Sequence, residues 1–124
     1  MTATTGRSAE VWVVVVLPGG PLDAHASTLR AMVEAALDAG AGTVVLDLGP
    51  ADPHRGVGLG VLMQCAARVS ARHAVLVVAG AGPLLAGALD RTRLADLVRI
   101  EATAEEAVAG APCRPTYVHL ERAG

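Results

Sequence analysis

The chain has 124 residues, of which 52% are hydrophobic and only 18% charged, with a formal net charge of -2; that is enough for one packed core and too little for two. All ten basic residues are Arg, scattered singly in a chain with 2% aromatic residues, which argues against the basic stripe and stacking aromatics of a nucleic-acid binder. The longest apolar run, Val11 to Leu17, falls well short of the roughly 20 residues needed to span a bilayer, and no basic segment with a cleavage site precedes it. A cytoplasmic protein without membrane contact is expected.

Taken in chain order, the polar residues 2–9 predict a frayed start or a weak edge strand, and Val11 to Leu17 a strand covered on both faces. The turn "PGGPLD" follows, with Asp23 placed to cap a helix over His25 to Ala39 whose apolar face is Leu29, Met32, Val33, Ala36 and Leu37. That helix is expected to stop at Gly40. A second buried strand runs over Thr43 to Leu48, and a second helix over Val57 to Arg72 places Leu59, Leu62, Met63, Ala66 and Val69 inward. The third core strand is Ala74 to Ala79, followed by a short helix with Pro83 at its first position and carrying Leu84, Leu85, Ala88 and Leu89.

Leu94 to Ile100 leads into another short strand. Thr103 and Glu106 form a capping box for a helix over Ala104 to Ala109, and the tail either adds an edge strand at Tyr117 to Leu120 or stays mobile. The alternation of strand and helix predicts a largely parallel sheet with right-handed crossovers. Cys65 and Cys113 lack metal-ligand or redox spacing and read as reduced thiols. No metal and no cofactor is expected.

These segments resemble the STAS domain, the fold of anti-sigma-factor antagonists, over about residues 10–109. The Gly20-Pro21-Leu22-Asp23 turn matches the family's turn before its first helix. Asp47 and Leu48 match the Asp-Leu pair closing its second core strand, and Gly58, Leu59, Gly60, Val61 and Leu62 match the second half of its Asp-Ser-Ser-Gly-Leu-Gly-Val-Leu motif. The resemblance implies a single α/β domain with a mixed, mostly parallel sheet and about four packing helices. Residues 1–9 and 110–124 then form a start and a tail. Arg55 stands where the family has Asp, and Gly56 and Val57 stand where it has two serines, the first of which resembling proteins present to a regulatory kinase. A glycine accepts no phosphate, so the switch that adds about two negative charges is expected to be missing at this site.

The resemblance implies a non-enzymatic protein that docks an anti-sigma factor of the serine-kinase type, through Asp23, His25, His54, Arg55, Gly56, Val57 and Gly58. Two other readings of this loop stand beside it. One is a sensor in which the helix N-terminus holds an anionic, nucleotide-like ligand; the other is a scaffold that has lost its switch. Gly56, Gly58 and Gly60 lack the full phosphate-loop and dinucleotide fingerprints, and the chain contains no lysine. His25, His54, Asp23 and Asp52 are more simply read as capping and surface residues than as a catalytic or metal cluster. The residues do not decide between a monomer and a homodimer.

Overall fold

A computed structural model of the protein describes residues 11–17, 25–48, 59–80, 82–92, 96–112 and 114–120. Its elements run β1 (Trp12–Val16), α1 (Ala26–Asp38), β2 (Thr43–Asp47), α2 (Leu59–Ala71), β3 (Val75–Ala79), α3 (Gly82–Arg91), β4 (Val98–Glu101), α4 (Ala104–Val108) and β5 (Thr116–His119). The expected edge strand at residues 2–9 lies outside the described residues. The five strands form one sheet in the order β4-β3-β2-β1-β5. Every described pairing is parallel, so the mixed sheet implied by the resemblance reduces, within these residues, to a parallel one. The three apolar runs lie side by side as β3-β2-β1, as their two-sided hydrophobicity requires.

Because side chains alternate across a strand, β1 divides its residues between two layers. Val13, Val15 and Leu17 join Val44, Leu46, Leu76 and Val78 beneath α1 and α2, while Trp12 and Val14 join Val45, Val77 and Ala79 on the opposite face, against Ala107 of α4. One face thus carries the long helices and the other the five-residue α4. Thr103 caps α4 as its sequence predicts, its hydroxyl accepting a hydrogen bond from the Glu106 N–H at 3.1 Å. The tail then crosses to the far edge, where β5 pairs with β1 rather than with β4.

Met32 lies on the expected face of α1, partly buried against the core. Two expectations need correction. The N-cap of α1 is His25, not Asp23; Asp23 itself lies outside the described residues. Met63 is 49% exposed, because the buried set of α2 comprises Val61, Leu62, Cys65, Ala66 and Val69. At about 100° per residue this set centres near Val69, and Met63 points about 120° away from it.

Both long helices end in the same device. Gly40 (φ 95°) and His73 (φ 58°) turn left-handed after α1 and α2. The Gly40 N–H donates to the Leu37 carbonyl and that of Ala41 to Ala36, each at 3.0 Å; the His73 N–H donates to Ser70 and that of Ala74 to Val69, also at 3.0 Å. These paired bonds satisfy carbonyls that a helix end would otherwise leave open. They tie the C-terminal end of each helix closely to its next strand.

Candidate functional site

The parallel sheet places the C-terminal ends of all five described strands at one end. There Val16 pairs with Asp47, the Leu17 N–H donates to the Asp47 carbonyl at 2.9 Å, and the Leu48 N–H donates to Ala79 at 3.0 Å. Residues 18–24 leave β1 and residues 49–58 leave β2 from these neighbouring points. They lead into α1 and α2, which pack against each other and begin at that same end. In open parallel sheets this end is where binding sites are built, since the loops there are free to vary without disturbing the layers.

Of the sequence-predicted site residues, the described structure includes His25. It is buried, 6% exposed, and its side chain makes no capping hydrogen bond to α1. Asp23, His54, Arg55, Gly56, Val57 and Gly58 lie outside the described residues, as does Asp52. What the fold brings together is the pair of attachment points from which their two segments spring. Neither α1 nor α2 carries an acidic residue in its first turn, so no carboxylate there offsets the positive end of either helix dipole. Ser27 and Ser70 are both exposed on their helices; Ser8 lies outside the described residues.

Among the described residues no group of three His, Cys, Asp or Glu side chains is placed to hold a metal ion, and no helix is long and apolar enough to cross a membrane. Cys65 is a free, buried thiol on α2; Cys113 is outside the described residues. Burial pushes the Cys65 thiol up from 9.0 to about 11, against the opposing pull of Arg30 and Arg68. The thiol is therefore neutral at pH 7, and alkylation of the folded protein at that pH is expected to be slow at Cys65 and fast after unfolding in urea, as mass spectrometry of the residue 59–72 peptide will read. The raised value also means that the contribution of this group to stability is complete below pH 9 and lost as pH rises toward about 11. Rapid labelling of the folded chain would show that α2 opens at that position.

Sequence reasoning missed an apolar groove of about 230 Å³ between α1 and β5, where Met32, Ala35 and Ala39 face Thr116 and Val118. Its signal was partly present: small alanines on the α1 flank and a short apolar strand in the tail. The side on which β5 pairs could not be read from either.

A family model for the STAS domain matches residues 6–107. The chain belongs to the STAS domain family. No curated protein matches the chain. The STAS match takes in β1 to β4 and most of α4 and stops before β5, so the strand at the β1 edge is contributed from outside the matched segment. Arg55, Gly56 and Val57 fall within the matched segment.

Proposed function

We propose that this STAS-domain protein works by binding another protein, as an anti-sigma-factor antagonist-like regulator in which serine phosphorylation is no longer the switch. The observation that carries this reading is the split state of one motif: Gly58-Leu59-Gly60-Val61-Leu62 retains the family pattern that opens α2, while Gly56 stands at the serine position. The glycines and leucines serve the fold and the approach of a partner; the hydroxyl serves only control. Losing control while keeping the surface leaves a protein whose binding is set by its abundance. Asp23, His25 and residues 54–58 are assigned to the contact because their two segments attach at neighbouring strands. In this reading the chain catalyses nothing, acts in the cytoplasm, and needs neither metal nor cofactor.

The test is capture by the immobilised full chain from a cytosolic extract of its own source, followed by identification of the retained proteins. Retention of a kinase-fold anti-sigma factor, weakened but not abolished when Arg55 is replaced by Asp and Gly56 by Ser, is the expected result. If no such protein is retained while inorganic phosphate or a nucleotide raises the melting temperature, the loop is a ligand sensor and the antagonist reading fails.

A further inference from the structure

The solvent-facing seam between α1 and α2 carries a ladder of polar contacts with a constant sequence offset. Arg30 donates to the Gln64 side-chain oxygen at 2.7 Å, Arg68 pairs with Glu34, and Arg72 pairs with Asp38 at 2.8 Å. Each rung joins residues 34 apart. Arg72 also reaches Glu34 at 3.4 Å, linking the lower rungs. Rungs four residues apart on both helices are about 6 Å apart along the axes, so the ladder covers about 12 Å. An offset that holds over two turns means that the two axes run alongside each other without drifting.

An exposed ion pair contributes little by itself to stability. Position gives this set its meaning. The C-terminal ends of α1 and α2 are already fixed by the tight turns at Gly40 and His73, the second of which directly follows Arg72 of the lowest rung. The N-terminal ends instead receive the longer segments 18–24 and 49–58. The ladder starts at the anchored end and stops at Arg30 and Gln64, about one turn from where each helix begins. Charged rungs beside an apolar seam are an established way of setting helix register.

We propose that this ladder is a positioning device, which carries the alignment of the anchored helix ends to the first turns of α1 and α2 and so holds level the two points where the candidate partner segments attach. Its use in recognition rests on the reading of those segments given above; its existence as a device does not. Salt that screens the rungs loosens the first turns before it affects the sheet.

Amide hydrogen exchange on the full chain tests this without a partner. Two variants place like charges across the seam: Glu34→Arg with Asp38→Arg, and Arg68→Glu with Arg72→Glu. A third carries all four substitutions and restores the ladder with its signs reversed. A neutral variant, Glu34→Gln with Asp38→Asn, covers failure of the charge-reversed chains to fold. Amides 30–33 and 63–66, whose helical bonds close the first turns, are expected to exchange about fivefold faster in the three weakened variants and to recover in the fourfold one, with β2 and β3 amides unchanged. Acceleration shared equally by β2 and β3 would reduce the ladder to a general stabiliser. No acceleration, or no recovery in the fourfold variant, would overturn the proposal. Since only the isolated chain is measured, failure of the partner assay leaves this result standing, and the reverse also holds.

Discussion

Leu46→Ala is expected to lower the free energy of unfolding by about 3 kcal/mol, within the range for removing a fully buried leucine. Leu46 lies on β2, with β1 and β3 paired to it on either side, and is 0% exposed. Its immediate cross-strand neighbours, Val15 and Val78, are held by their own ladders and cannot move to fill the space. The cost therefore combines lost transfer energy with a retained cavity, and it takes a large share of the 5–15 kcal/mol typical of a domain. Urea unfolding will read it as a lower midpoint at unchanged slope. Met63→Ala is the matched control on the outer side of α2, where a change of no more than about 0.5 kcal/mol is expected. If Met63→Ala proves as costly as Leu46→Ala, that side of α2 is covered and the assignment of its outward face is wrong.

The second large effect concerns control rather than stability. Incubation with ATP and a serine kinase of the anti-sigma type is expected to leave residues 49–68 unmodified, because that stretch contains no Ser, Thr or Tyr. Arg55→Asp with Gly56→Ser puts an acceptor hydroxyl and the family's carboxylate back at the entrance to α2. This variant is expected to gain one phosphate per chain and, once modified, to lose roughly tenfold or more in partner affinity, since about two negative charges then stand at the docking surface. Its melting temperature is expected to stay the same or rise slightly, because a carboxylate replaces a cation in the segment that leads into α2 and the N-terminal end of a helix dipole favours negative charge. Intact mass and calorimetry separate the two readouts. Phosphate on Ser27 or Ser70 of the unaltered chain would mean that the switch has moved to an exposed helix position. Unchanged partner affinity in the phosphorylated variant would place recognition away from this loop.

Several parts of the structure were determined by short stretches of sequence acting alone. The three β-branched runs became β1, β2 and β3 because residues apolar on both sides are stable only inside a two-faced sheet. Thr103 set the start of α4 because a cap is satisfied within a single turn, and Gly40 ended α1 because it takes a positive φ at little cost. The family, too, was legible, since its glycines and leucines sit in unbroken order after Gly58. Other features depend on residues far apart in the chain, and only the tertiary structure decided them. Nothing local in Thr116–His119 says that it pairs with β1 at the edge opposite β4, because the choice is made by which edge the returning tail can reach. Met63 satisfies a helical period as well as Val61 does, yet the packing of α1 and the sheet against α2 determined which stripe turned inward. The i, i+4 spacing of Arg30, Glu34 and Asp38, and of Gln64, Arg68 and Arg72, was visible in each helix, but their pairing at an offset of 34 exists only when the two helices lie side by side on one face of the sheet. Local chemistry specifies elements within a few residues; partners across a sheet or a helix seam are selected by packing, which no single segment contains.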